Sequence, residues 1–538
     1  MDKKADCKKL DRRAFLKSAA AGIGAAGIGA GISAVGMAQF NIAEAKTINL
    51  HHVRKWDYTA DVVVVGYGAA GANAAIAAHD AGAKVIILEK MAIPGGNSGV
   101  CHGGVVIPDG VPEAIDYYRK LSFGTVDEEM IKGFAEAMCG IYDLLREFGA
   151  IVKTTRWSST FPAFRKSMLT AFRFNPTGKE GLEFLSALVK KRDIKVMLKT
   201  SAGSLIQSPE TGDVVGVKAE SEGKEIFIKA EKGVVLSCGG YENNPEMFGY
   251  YNFPGLKDLI FPLGTPGNTG DGLKMASAAG AYLWHTASLQ WAGFCAKAPS
   301  KQFGVAIGAI NPKRAQANNF IFVNKYGNRF MKETKRMFHT KETLDILYFD
   351  HERAEYPNVP AWLILDETSY NSGPIERTGL GAVGYANIHK IYDWSSDKST
   401  EIGKGWVVKA DTISELANKI KIDPKGLEET IGEFNNYCHA GKDLRFNRSK
   451  ETVAPIEKPP YYALEMGLAL VNTQGGPKHD KFARVLDPDD KPVPRLYAAG
   501  ELGSFFGFLY QEGSNYPEAW VFGSIAGKQA ATEKPFKG

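Results

Sequence analysis

The stretch DVVVVGYGAAGANAAIAAHDAGAKVIILEK, Asp61 to Lys90, decides the fold. An apolar run ends at Gly66, and the glycines follow at Gly66, Gly68 and Gly71. An alanine-rich helical segment comes next. A second apolar run, Val85 to Leu88, closes on Glu89, eighteen residues after Gly71. The pattern is a strand, a tight turn, a helix and a parallel strand with an acid at its tip. Gly66 permits the turn, Gly68 lets backbone approach a pyrophosphate, and Gly71 lets the helix pack close to the strand. The helix N-terminus offers unpaired N–H groups and partial positive charge to phosphates, and Glu89 can accept from ribose hydroxyls. A GxGxxG alone marks only a glycine-rich turn. The complete context implies an adenine dinucleotide.

Upstream of this unit the chain has a different character. Lys8, Lys9, Arg12, Arg13 and Lys17 form a basic head, and Ser18 to Ala38 carries no charge. A small-x-small site, Ala43-Glu44-Ala45, follows. Residues 1–45 read as a twin-arginine export signal with cleavage near Ala45, placing the mature protein in the periplasm or another extracytoplasmic space. The other reading is a membrane anchor. The uncharged segment is long enough to span, but its Gly and Ala make it only mildly apolar. Twin-arginine export carries folded proteins, which suits a cargo loaded with a cofactor.

Residues 1–45 hold seven Lys/Arg and four Asp/Glu, so removing them lowers the formal charge from +5 to +2. No basic stripe with interleaved aromatics remains, and nucleic-acid binding has no support. Five cysteines remain, Cys101, Cys139, Cys238, Cys295 and Cys438, without a CxxC pair. Their odd number and wide spacing argue against a disulfide framework, and no cluster has metal-ligand spacing. Cys101-His102 and Cys438-His439 each lack the upstream cysteine of a haem attachment site.

The remaining length exceeds what one core usually holds, so two domains are expected. Lys232–Cys238 is an apolar strand entering Gly239-Gly240, and Gly270-Asp271-Gly272 opens a helix. Arg495–Ala499 is a strand running into Gly500-Glu501, followed by a glycine-rich loop and a helix over Ala519–Ala531. The intervening region is richer in aromatics and charge, with an amphipathic helical pair over Asp411–Asn435 broken at Pro424. The fold class is α/β: a discontinuous Rossmann-like domain over 57–290 and 469–538, with an α+β domain over 291–468 inserted as a cap.

The chain resembles the flavoprotein family of fumarate reductases and succinate dehydrogenases, including flavocytochrome-type reductases and ketosteroid dehydrogenases. The matching pieces are VVVVGYGAAGANAAI, LEKMAIPGGNSGVCHGG, VVLSCGGYENN, GNTGDGLKMASAAGA, NKYGNRFMKE, LYAAGELG and FGSIAGKQAA. The resemblance implies FAD rather than NAD, a capping domain over the flavin, and hydride exchange between flavin N5 and a carbon–carbon bond beside a carbonyl or carboxylate. Gly66, Gly68, Ala70 and Gly71 would hold the pyrophosphate and Glu89 the adenosine ribose, with Lys90 and Gly240 in the same cofactor set. Gly95, Gly96, Asn97, Ser98, Gly103 and Gly104 would form the loop beside the flavin. Asp271, Gly500 and Glu501 would return to the ribose and ribityl region, and Asn515 would begin the helix facing the flavin ring. Members that attach FAD covalently use a histidine in the loop after the second strand. His102 lies four residues past that position, so non-covalent FAD is expected.

At the catalytic end the chain departs from fumarate reductases. Their histidine and arginine carboxylate clamp, in the loop before the last helix, maps onto Gly507 and Gln511. Without it a dicarboxylate loses a charge-assisted partner. Tyr510 lies where ketosteroid dehydrogenases place a tyrosine near the substrate carbonyl, where a phenol can donate as charge develops. The aromatic loop Ser504–Tyr510 suits an apolar or ring-shaped substrate better than a dianion. Asn328–Glu333 matches a family strand leading toward the substrate. After it, Arg336 is a candidate acid or carbonyl clamp, His339 a candidate proton donor, and Arg314 upstream a candidate relay. No metal is expected. The sequence therefore reads as an FAD-dependent enzyme that reduces an activated C=C bond, with fumarate reduction, ketosteroid-type desaturation or non-catalytic electron transfer as alternatives. The expected partners are a small unsaturated carbonyl substrate, the export machinery, and a separate electron carrier (cytochrome, flavoprotein or quinol-linked).

Overall fold

A computed structural model describes residues 46–537, except 151–152, 158, 165–168, 174–177, 254, 257–258, 297–318, 334–345, 373–383 and 390–394. The first sheet is built on β1 (Tyr58–Val65), α1 (Ala69–Asp80) and β2 (Val85–Leu88). β1 and β2 pair in parallel from Val62↔Val85 to Val65↔Leu88. The crossover through α1 follows, because parallel strands need a covering connection. The long strand β3 (Lys224–Leu236) has three partners along its length. Its first half pairs antiparallel with Val214–Ser221. Its second half pairs in parallel with β1 on one side and with β4 (Pro492–Ala498) on the other, Val234 opposite Leu496. Chain segments more than 250 residues apart thus meet in one sheet.

The alanines of α1 have a packing reason. Ala69 to Ala78 are all buried, because the last helix α2 (Asn515–Thr532) lies across them. A Cβ on Gly523 would sit 2.4 Å from the Ala70 carbonyl oxygen, and one on Gly527 would sit 2.0 Å from that of Ala74. Small residues on both helices let the backbones touch. Larger side chains would push α2 off the sheet.

A second sheet is centred on the strand Tyr461–Thr473. It pairs with Ile260–Pro262, Leu289–Ala296, Ala361–Asp366 and Val407–Ala410, and Phe320–Val323 adds to its edge. Phe294, Phe320, Phe322, Leu363 and Leu464 fill one face. The helices Ile413–Ile420 and Pro424–Ala440 cover the other with Leu416, Ile420, Leu427, Ile431 and Phe434. Pro424 opens the second of these helices, behind the capping carboxylate of Asp423, which accepts from the Lys425 N–H.

Asn328–Glu333 is a turn with one isolated bridge, Val323 to Arg329, rather than a strand. The Asn324 side chain accepts from the N–H groups of Tyr326 and Asn328 and folds the chain back at Gly327. Arg329 is then fully buried and pairs with Glu333 at 2.7 and 2.8 Å and with Asp443 at 2.9 Å, while Arg448 also reaches Glu333 at 3.2 Å. Two cations balance two anions in that network, so none is left uncompensated in the interior. Among the described residues no helix is long and apolar enough to cross a membrane.

Candidate active site

The glycine turn after β1 is fixed by space as well as by torsion. Gly66 has φ +101°, and a Cβ there would lie 2.5 Å from the Ser237 carbonyl oxygen of the neighbouring strand. A Cβ on Gly71 would lie 1.9 Å from the Gly66 carbonyl oxygen. Gly68 is different. Its nearest contacts would be the Ser98 hydroxyl at 3.4 Å and the Gly95 carbonyl at 3.5 Å, so the protein itself does not crowd it. Gly68 is the N-cap of α1 and supplies no side-chain cap. The Ala69 N–H donates to Ser98 Oγ at 3.0 Å, which brings the Gly95–Gly99 loop over the helix N-terminus. Ala70, next in the helix, is buried.

Glu89 ends β2 and is buried. Its two carboxylate oxygens accept from the N–H groups of Tyr67 and Met91, both at 2.8 Å. Each oxygen keeps acceptor capacity for a hydroxyl. Burial pushes the Glu89 carboxyl up from its ordinary value. Lys90 turns away from Glu89 and donates to Thr269 and Asp271, both at 2.7 Å. Asp271 is the first residue of the helix Asp271–Ala278. A helix N-terminus with a glycine N-cap, an uncrowded glycine and a doubly held carboxylate form a donor and acceptor set that fits a dinucleotide.

Asn97 joins this loop to the C-terminal Gly-Glu turn. Its side-chain N–H donates to Glu501 at 2.9 and 3.1 Å and to Glu242 at 2.8 Å. Asn268 donates to the same Glu242 oxygen at 2.8 Å, and the Thr473 hydroxyl lies 3.3 Å from its other oxygen. A Cβ on Gly240 would collide with Thr473 and Glu242, so Gly240 is the floor of this cluster. Gly500, at φ +82°, turns the chain so that Glu501 enters it. These hydrogen-bond partners are neutral. Burial pushes Glu242 up to about 7, and burial together with the Glu242 charge pushes Glu501 well above its usual range. Two carboxyls that share the Asn97 and Asn268 amides titrate as a pair. Glu242, Asn268 and Thr473 were not singled out from the sequence. They carry no spacing signal, and only the fold brings them to Asn97 and Glu501. Gly96 lies in the same short turn as Asn97. The Gly103 N–H donates to the Cys101 sulfur at 3.3 Å, and Gly104 starts the strand Gly104–Pro108.

The loop before α2 divides its residues between core and surface. Phe505 stacks on Phe134 at 4.0 Å, and Phe506 meets Tyr118, Phe134 and Tyr510 edge-on. Both are buried, which corrects the expectation that the whole aromatic run faces a substrate. Helices Val111–Ser122 and Glu128–Cys139 cover these rings. Phe508 is 49% exposed and packs edge-on against Phe123. Tyr510 is buried. Its phenol oxygen accepts from the N–H groups of Ser514 and Asn515, both at 3.2 Å, and so caps α2. Burial pushes its pKa up, so the phenol stays protonated at any working pH. Asn515 Oδ1 accepts from Gln474 at 3.2 Å.

Gln511 is fully buried. Its carbonyl oxygen accepts from the Tyr117 hydroxyl at 2.6 Å and from the Thr160 N–H at 3.0 Å, and its amide donates to the Glu512 carbonyl. Gly507 faces His285, a residue the sequence offered no reason to choose. Arg314, Arg336 and His339 lie outside the described residues. Among the described residues no group of three or more His, Cys, Asp and Glu could hold a metal.

A parallel sheet with a glycine turn and an acid at the second strand tip, joined by a C-terminal Gly-Glu turn and a second sheet, defines a flavoprotein oxidoreductase. Residues 61–516 match the FAD binding domain family, and the chain belongs to it. It is 30% identical to digoxin reductase of Eggerthella lenta, over 98% of both chains. It is 29% identical to urocanate reductase of the same organism, over 88% of this chain and 74% of that one. The fold also matches a crystal structure of 3-ketosteroid delta1-dehydrogenase from Sterolibacterium denitrificans. That match has a TM-score of 0.73 at 24% identity and covers 88% of this chain and 99% of the other. The protein is an FAD-dependent oxidoreductase acting on CH–CH or C=C bonds.

Proposed function

We propose that the protein reduces the C=C bond of an α,β-unsaturated carbonyl compound, an enone or a monoacid, and that a dicarboxylate is a poor substrate. The observation that carries this reading is the state of Gln511. It stands where the resemblance places a clamping arginine, and both ends of its amide are spent on Tyr117, Thr160 and Glu512. Gly507, at the other clamp position, has no side chain to offer. A dianion entering here would meet no cation from this loop, and losing a charge-assisted pair in a dry site costs about 1.5–3 kcal/mol. The names of the relatives, urocanate reductase and digoxin reductase, support a family that reduces substrates other than fumarate.

FAD, when bound, supplies two-electron redox chemistry at a carbon–carbon bond. The chain would hold it with Gly66, Gly68, Ala70 and Gly71 at the pyrophosphate, Glu89 and Lys90 near the adenosine, and Asn97, Gly240, Asp271, Gly500 and Glu501 toward the ribityl end. The second sheet and its helices cap the site and exclude water. Tyr510 donates a hydrogen bond to the substrate carbonyl. Its oxygen already accepts two backbone N–H groups, which polarises the O–H and strengthens it as a donor. Arg336, His339 or Arg314 supplies the proton at the neighbouring carbon.

The test is anaerobic photoreduction of the purified holoprotein, followed by stopped-flow mixing with an enone, an unsaturated monoacid or fumarate. The reading expects reoxidation by the enone or monoacid at least tenfold faster than by fumarate. Faster reoxidation by fumarate overturns it. Electrons reach the protein from a separate carrier, and residues 1–45 direct export by the twin-arginine route. Replacing Arg12 and Arg13 together by lysine should leave flavin-loaded precursor in the cytoplasm. Normal export of that double variant, measured by fractionation, contradicts the route.

A further inference from the structure

His285 lies outside every residue set described for FAD, yet several independent features single it out. Its backbone adopts the left-handed conformation, φ 54°, which costs a non-glycine residue free energy and gathers at functional sites. Its ring stacks on Trp284, with centroids 4.2 Å apart and planes 12° apart. Its Nδ1 lies 2.9 Å from the Ser504 carbonyl oxygen. A carbonyl only accepts, so Nδ1 carries the hydrogen and Nε2 presents a bare lone pair. That Nε2 is buried and has no hydrogen-bond partner.

The direction of Nε2 is given by Gly507. A Cβ at position 507 would lie 2.9 Å from both Nε2 and Cδ2 of His285, and 3.3 Å from the Thr125 hydroxyl. The imidazole edge therefore occupies the space that a side chain at 507 would fill. Glycine in the loop and histidine on a different segment are complementary. The loop has given up its own side chain, and an imidazole enters from the chain preceding the strand Leu289–Ala296. The chemistry is not that of a carboxylate clamp. A neutral ring with its only N–H committed to Ser504 repels an anion and accepts from a donor. Burial, with smaller contributions from His479 and Lys478, holds this imidazole well below its usual pKa, at about 4, so it stays neutral.

We propose that His285 is a specificity-determining residue whose Nε2 accepts a hydrogen bond from a hydroxyl or N–H group on the substrate, so that the enzyme selects unsaturated carbonyl compounds bearing such a donor at the end remote from the carbonyl. The assignment rests on the reading of the loop before α2 as the substrate end of the site. Gly507 and Tyr510 are three residues apart in that loop. Tyr510 addresses the carbonyl end of the substrate and His285 the polar group at its far end.

The test uses the full-length FAD-loaded protein and two probes that differ only in the donor, 4-hydroxybenzylideneacetone and its methyl ether. Binding to the oxidised protein is titrated through the flavin absorbance, and reduction is followed separately. Wild type should bind the hydroxyl probe about tenfold more tightly than the ether, the scale of one net hydrogen bond. In His285→Phe, which keeps the stacked ring and removes the lone pair, the ratio should fall to within about twofold at unchanged FAD content. Gly507→Ala should lower the ratio in the same direction by displacing the imidazole. Equal binding of both probes by wild type, an unchanged ratio in His285→Phe, or loss of FAD from that variant overturns the proposal. Binding with the expected ratio but no reoxidation of reduced flavin by either probe leaves His285 supported and refutes the enone reading instead.

Discussion

The dinucleotide cradle and the loop before α2 are built on opposite plans. The cradle is backbone chemistry. Its decisive residues are glycines at 66, 68 and 71, the amides at the start of α1, and one acid whose oxygens are held by backbone N–H groups. The loop is side-chain chemistry. Tyr117 and Thr160 come from distant segments to hold Gln511, Tyr510 accepts from Ser514 and Asn515, and His285 reaches the Ser504 carbonyl from more than 200 residues upstream. A backbone site leaves little room for change, because a Cβ in the wrong place has no remedy. A side-chain site can be rewritten residue by residue. The same fold can therefore keep one cofactor while its substrate varies.

The sharpest way to break that contrast is to attack the cradle. Gly71→Val puts branched carbon where even a Cβ lies 1.9 Å from a backbone oxygen. The expected outcome is complete loss of FAD and of soluble protein, read as flavin-to-protein ratio and yield. Retention of full FAD content would show that the turn is more adaptable than its geometry allows.

A smaller effect is expected from Glu518, in the first turn of α2. Its oxygens meet the Ser504 hydroxyl and the Phe505 N–H, both at 2.8 Å, and burial pushes its carboxyl up to about 8. The folded state thus favours the protonated form. Its stabilising contribution is fully present below the ordinary glutamate value of 4.5 and is lost as pH rises through about 8. Glu518→Gln keeps an acceptor for Phe505 and removes the titration. Denaturant unfolding should show wild type losing about 4 kcal/mol more than Glu518→Gln between pH 5 and pH 9. Parallel curves would mean that Glu518 is ionised throughout.

The same contrast explains what the sequence made legible. The strand, turn, helix, strand and acid of residues 61–90 are consecutive, and the close approach that requires Gly71 is to Gly66, five residues before it. The break at Pro424 was visible because proline marks a helix start locally. By contrast, the buried pair of Glu242 and Glu501 needs Asn97, Asn268 and Thr473 beside it, and no spacing announces that convergence. Phe505 and Phe506 looked like a substrate surface because composition records aromaticity and not direction. Two helices earlier in the chain turn them into core. His285 is a single histidine beside a tryptophan. Only the absent side chain of Gly507 shows what it faces.

The separation of cofactor binding from substrate chemistry is tested most directly by Tyr510→Phe, with FAD stoichiometry and the rate of reoxidation by the preferred enone or monoacid measured on the same sample. The phenol can be lost without disturbing the cradle, and one donor to developing charge is worth about 10- to 1,000-fold in rate. The account predicts unchanged FAD content with turnover reduced by that factor. Full turnover in Tyr510→Phe, or loss of FAD with the hydroxyl, would contradict it.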